Sequence, residues 1–99
     1  MDLGLHAAIL ACVESIPSGR VMTYGDVAEY CGSRAARLVG RVLSDDGGTV
    51  PWWRVLRADG SPAPHLLTEQ RARLMEEGVR FNGERVDLKR HRWDGLTPS

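Results

Sequence analysis

What this chain lacks narrows its class before any motif is read. Its 99 residues hold only two cysteines. Cys12 and Cys31 form no CxxC pair, and each sits inside a helical pattern. That argues against a metal centre or a disulfide framework and for buried free thiols in a reducing cytoplasm. No apolar run approaches the ~20 residues that span a membrane. Met1-Asp2-Leu3-Gly4 places no basic segment ahead of an apolar one, so no signal peptide is expected. Internal repeats and low-complexity tracts are absent. An excess of one charge is missing too, because 13 basic and 13 acidic residues cancel. Nucleic-acid-binding domains often carry a positive balance, but affinity follows where charge lies rather than its sum. The acids gather at Asp45-Asp46 and Glu76-Glu77. The length allows one domain, expected over 1–99, with one small core.

A core this small needs strong local signals, and they are present. Leu5, Ile9, Cys12, Val13 and Ile16 recur at helical spacing, and Pro17-Ser18-Gly19 ends that helix. Arg20-Val21-Met22 reads as a short extended piece. Thr23 caps the next helix, with Asp26 three residues on as the capping-box acid. That helix carries Val27, Ala28 and Cys31 and stops at Gly32. Ser33 is the expected cap of a third helix. On it Ala35, Leu38, Val39, Val42 and Leu43 form one apolar stripe. Arg34, Arg37 and Arg41 fall on another face, roughly 140° away at about 100° per residue. Ala36 and Gly40 flank the basic face and are small. Two helices joined by the tight Cys31-Gly32-Ser33 turn predict a helix-turn-helix.

Asp45 to Thr49 reads as a glycine-rich loop and Val50 to Arg57 as a partly extended run. In a regular strand Trp52 and Trp53 would point to opposite sides. Asp59-Gly60 marks a turn, and Pro62 and Pro64 stiffen the loop after it. Thr68 is placed to cap a fourth helix ending at Gly78. Asn82-Gly83 is the strongest hairpin signal in the chain. The Lys89-Arg90-His91-Arg92 segment is basic and suits either phosphate contact or a solvated terminus. His6 and His91 have no partner at ligand spacing. The sum is a mostly α, α+β domain of helix-turn-helix, winged-helix-like form. From periodicity alone, an arginine face opposite a buried face fits either DNA binding or plain solvation.

Four segments, taken in order, resemble one family. Ile16 to Ala28 is similar to an IPxGxVxTYGxIA segment. Ala35-Ala36-Arg37-Leu38-Val39-Gly40 resembles AxRxVG at the start of a recognition helix. Pro51-Trp52-Trp53-Arg54-Val55 stands where repair enzymes have PCHRV, and Glu76-Glu77-Gly78-Val79 matches the end of a last helix. The family is that of the O6-alkylguanine-DNA alkyltransferases, and the resemblance is to its alkyltransferase-like branch, across nearly the whole chain.

That resemblance implies the fold of the alkyltransferases' C-terminal domain and double-stranded DNA containing O6-alkylguanine as partner. It implies entry through the minor groove, where the slim edge at Ala36 and Gly40 suits a narrow space. Thr23, Tyr24, Arg34, Arg37 and Arg41 complete the expected DNA contacts. Arg37 matches the finger that fills the vacated base stack, and Tyr24 the residue that helps rotate the nucleotide. The expected lesion pocket is Tyr24, Val50, Pro51, Trp52, Arg54 and His65.

Trp52 stands at the acceptor-cysteine position. Transfer needs a thiolate to attack the alkyl carbon, and an indole cannot replace it. The resemblance therefore implies a monomeric cytoplasmic lesion binder with no catalytic residue, metal or cofactor, passing the lesion to nucleotide excision repair. Trp53 departs from the family's histidine. His65 holds the place of an arginine that stacks on the lesion base in some members, and a neutral imidazole supplies charge only below about pH 6.5. The alternatives are a sequence-reading helix-turn-helix regulator and residual transfer through Cys31 or Cys12.

Overall fold

The Thr23 capping box organises the middle of the molecule. The computed structural model describes residues 3–96, which leaves Met1-Asp2 and residues 97–99 outside. In it the Thr23 hydroxyl accepts from the Asp26 N–H at 3.0 Å, and the Asp26 carboxylate accepts from the Thr23 N–H at 3.0 Å. Two donors that a helix start would orphan are satisfied, and the helix begins at the next residue. In chain order the elements are α1 (Leu3–Ser15), β1 (Met22–Thr23), α2 (Tyr24–Tyr30), α3 (Ala36–Asp46), β2 (Val55–Leu56), α4 (Leu67–Glu76), β3 (Phe81–Asn82), β4 (Arg85–Val86) and α5 (Leu88–His91). Short 3-10 turns cover Gly47–Thr49, Trp52–Arg54 and Pro64–Leu66.

α2 and α3 pack on one another and on α1, making the helix-turn-helix. Ile9, Val13 and Ile16 of the α1 segment meet Val27 of α2 and Val39 and Val42 of α3 in one buried cluster. A second cluster gathers Val21, Leu56, Leu74, Val79 and Val86. The two are joined by β1 and β2, which pair in parallel with Met22 opposite Val55 and Thr23 opposite Leu56. The hairpin forms as the Asn82-Gly83 signal predicts, with Phe81 opposite Val86. Gly83 takes φ +66°, in the left-handed region that such turns demand.

Several local expectations are corrected. α3 starts at Ala36, and its N-cap Ala35 has no capping side chain. Ser33 Oγ instead accepts from the Ala35 N–H at 3.0 Å within the turn. Thr68 does not cap α4, which starts one residue earlier behind a 3-10 turn opened by Pro64. The tryptophans do not alternate along a strand, because Trp52–Arg54 is a 3-10 turn and extension begins only at Val55. The basic segment is not a loose tail. It forms α5, and His91 accepts from the Arg80 N–H at 2.9 Å while its Nδ1 lies 3.1 Å from the Gly19 carbonyl oxygen. Among the described residues no helix is long and apolar enough to cross a membrane.

Candidate nucleic-acid interface

Helical periodicity separates the faces of α3 as its sequence predicts. Val39 and Val42 are buried and Arg37 and Arg41 exposed. Arg34 is exposed as well, but it lies in the turn ahead of Ala36 and not on the helix face where its spacing places it. Among the described residues these three arginines make no ion pair and no side-chain hydrogen bond, although the molecule carries as many acids as bases. Beside them Gly40 faces open space, since a Cβ built there would meet no atom within 4 Å. The face is basic, unpaired and low in relief.

That edge borders a cavity of about 440 Å³. Tyr24, at the start of α2, lines one side. Gly40, Leu43 and Ser44 of α3 lead to Gly47 and Gly48, and Trp52, His65 and Leu66 complete the lining. Gly47 allows the close approach. A Cβ there would sit 3.3 Å from Leu43 Cβ and 3.6 Å from Trp52 Cβ, so a larger residue would push α3 from the tryptophan. Burial pushes the Tyr24 phenol above its ordinary pKa, although nearby Arg57 pulls it down. Tyr24 is therefore a neutral O–H donor at the cavity's edge.

Trp52 and Trp53 meet edge to face, ring centres 6.0 Å apart and planes at 87°. The Arg73 guanidinium of α4 lies 4.7 Å from the Trp53 ring centre and 5.8 Å from that of Trp52. Trp52 thus lines the cavity, while Trp53 turns into a hub behind it. There the Glu77 carboxylate accepts from Trp53 Nε1 at 3.0 Å, from the Gly19 N–H at 3.1 Å, and from Arg54 at 2.6 Å through Nη2. Arg54 Nη1 also donates to the Ile16 carbonyl at 2.8 Å. Burial pushes the Glu77 carboxyl up, but the donors around it, Arg54 first, hold it below the usual carboxylate range.

The expected site residues therefore divide. Tyr24, Gly40, Trp52 and His65 come together around the cavity. Arg34, Arg37 and Arg41 are exposed but do not line the cavity, and half-buried Ala36 opens the helix that carries Arg37 and Arg41. Thr23 is buried as a cap and offers no exposed contact. Arg54 does not line the cavity but clamps Glu77. Val50 packs against the core, and Pro51 opens the 3-10 turn. No sequence signal gives Glu77 or Arg73 a place in the site. Glu77 is legible as half of an acidic pair at a helix end, and Arg73 is one of two arginines on α4, an ordinary amphipathic helix.

Neither thiol lies at the cavity. Cys12 is buried in the core with its sulfur 3.9 Å from Met22 Sδ, and burial pushes its pKa up to about 12. Burial also raises the Cys31 thiol. Both stay protonated at neutral pH, and a thiol nucleophile must be a thiolate.

Residues 4–79 match the profile of the 6-O-methylguanine DNA methyltransferase DNA binding domain. A DNA base-flipping protein of Escherichia coli (strain K12) is 48% identical over 88 residues, 83% of this chain and 68% of that protein. Alkyltransferase-like protein 1 of Schizosaccharomyces pombe is 35% identical over 81 residues, 75% of each. The crystal structure of S. pombe Atl1 in complex with damaged DNA containing O6-carboxymethylguanine superimposes with a TM-score of 0.79 at 29% identity, over 94% of this chain and 98% of that one.

Proposed function

The chain belongs to the family of the 6-O-methylguanine DNA methyltransferase DNA-binding domain, and on that premise we propose that it binds double-stranded DNA containing O6-alkylguanine, flips the damaged nucleotide into the Trp52 cavity and leaves the alkyl group in place. One observation carries the reading. The cavity beside the unpaired arginine face is lined by Trp52, and no thiol lines it. Such a pocket offers an aromatic wall and a hydrogen-bonding phenol, but no nucleophile.

α3 enters the minor groove along its Ala36–Gly40 edge, where slimness matters most. Arg34 and Arg41 hold phosphates. Arg37 fills the gap left in the stack, its planar guanidinium suited to stacking and to hydrogen bonds with the orphaned base. Tyr24 donates its hydroxyl to the backbone of the rotating nucleotide. Extrusion costs a few kcal/mol of stacking, which the cavity returns through contact with Trp52 and His65. The protein acts as a monomer, and the persistent complex marks the lesion for nucleotide excision repair. Support for that last step comes from the resemblance to the alkyltransferase-like branch.

Binding to matched duplexes with O6-methylguanine or guanine, at fixed salt because the phosphate contribution depends on it, tests the reading. A preference for the lesion that undamaged competitors of varied sequence do not erase is expected. Equal binding to both duplexes would reject lesion recognition. Preference for one undamaged sequence would instead identify a sequence-reading regulator.

A further inference from the structure

Outside α3, one further arginine, Arg57, is held in a fixed orientation near Tyr24. β1 and β2 run in parallel with Thr23 opposite Leu56. The next residue on each is Tyr24 and Arg57, so both leave the same end of the ribbon. They are close enough for the Arg57 guanidinium to act on the Tyr24 phenol. Exposed arginines usually wander, but Arg57 is held. Its Nε and Nη2 donate to Ser61 Oγ at 3.0 and 2.8 Å. Ser61 is buried, and its hydroxyl is turned to accept because it donates its own hydrogen to Asp59 Oδ1 at 2.5 Å.

The turn beneath is fixed as well. The Arg57 N–H donates to the Ser61 carbonyl at 3.0 Å, and the Gly60 N–H to the Arg57 carbonyl at 2.8 Å. Gly60 takes φ +86° where an added Cβ would lie 3.0 Å from the Val86 carbonyl oxygen, so the turn is pinned against β4. A guanidinium has five N–H donors in a rigid fork. Two are spent on Ser61, which orients the plane, and the Nη1 group has no partner among the described residues. Asp59, a carboxylate near enough to feel Arg57, is held by the Ser61 hydroxyl and N–H and lies 3.8 Å from Arg85 Nε.

We infer that Arg57 is a preorganised anchor for a DNA phosphodiester on the Tyr24 side of the cavity, opposite the α3 arginines. The inference rests on the DNA-binding reading above. It gives the duplex a second grip that does not belong to the recognition helix. It also explains why an exposed arginine is tied to a buried serine. An anchor whose orientation is fixed loses less side-chain freedom on binding than a mobile one.

The test is the salt dependence of binding to O6-methylguanine and undamaged duplexes for the parent, Arg57→Ala and Ser61→Ala. Each neutralised phosphate contributes about −0.9 to the slope of log affinity against log salt. Arg57→Ala should flatten the slope by about that amount on both duplexes, with the ratio between them kept. Ser61→Ala should keep the parent slope, since the charge remains, and weaken binding a few-fold because the fork is no longer oriented. A parent slope in Arg57→Ala, with the parent binding DNA, would overturn the anchor and leave the function standing. Parent affinity in Ser61→Ala would overturn the preorganisation. If the parent binds neither duplex, the anchor and the function fall together.

Discussion

Arg37 and Arg54 are the same residue type in opposite circumstances, only 17 positions apart in the sequence. Arg54 has donors committed to Glu77 and to the Ile16 carbonyl, and it joins three parts of the chain behind the tryptophans. Arg37 is exposed and meets no carboxylate among the described residues. The difference teaches which charges the fold consumes and which it leaves for a ligand. Glu77 is occupied behind the cavity, Asp26 is taken by Arg92 and the Thr23 cap, and Asp46 lies 2.9 Å from His6. A molecule with zero net charge thereby keeps a basic face.

The comparison breaks most visibly at Arg54. Arg54→Ala leaves the Glu77 carboxylate facing the hub without its main partner, and should cost about 3 kcal/mol of stability in denaturant titration. A loss below about 0.5 kcal/mol, the level of an ordinary surface change, would mean that the hub does not hold the tryptophan turn. Arg37→Ala should do the reverse. Stability should stay within about 0.5 kcal/mol, while lesion-duplex binding falls about 10- to 100-fold, the scale of one lost stacking contact. Unchanged binding in that variant would remove the finger from the account.

Trp52→Ala should act on a narrower quantity. It removes the cavity's aromatic wall and should reduce the preference for O6-methylguanine over guanine, measured as a ratio of affinities, more than it reduces binding to plain duplex. A preserved ratio would show that the lesion is read elsewhere. The smallest effect concerns acid. The Glu77 carboxyl is held below its ordinary range by the fold, so its stabilising contribution is complete above the unfolded carboxylate pKa of about 4.3. It is lost as pH falls through the lower folded value. Glu77→Gln should be less stable than the parent at neutral pH, and the gap should narrow as pH drops into that range. A constant gap would place the linkage on another group.

Much of this was legible before the structure. The Thr23–Asp26 box, the α3 stripe and the Asn82-Gly83 hairpin are local signals, each decided by residues within a few positions. Their geometry follows the sequence closely, except that Ala35 of the stripe is exposed and sits at the N-cap ahead of α3. The Arg37 face and the Trp52 position were also readable, the first from periodicity and the second from resemblance. What stayed hidden depends on distant contacts. The resemblance implies a place for Arg54 in the lesion pocket, two residues from Trp52. The 3-10 turn and the reach of Glu77 from the end of α4 carry it behind instead. Ser33 and Thr68 have the chemistry of caps, yet the Cys31–Ala35 turn and the Pro64 turn shift where their helices begin. The Ser61 hold on Arg57 is invisible in sequence, because serine and arginine in a loop are ordinarily solvated.

The central claim is recognition without repair, and the most direct measurement follows the alkyl group itself. A duplex carrying O6-methylguanine with a radiolabelled methyl is incubated with excess protein, and protein and DNA are then separated under denaturing conditions. The account predicts a stable complex before denaturation and all of the label on DNA afterwards. Label on the protein would reveal an acceptor nucleophile elsewhere in the chain and contradict recognition without repair.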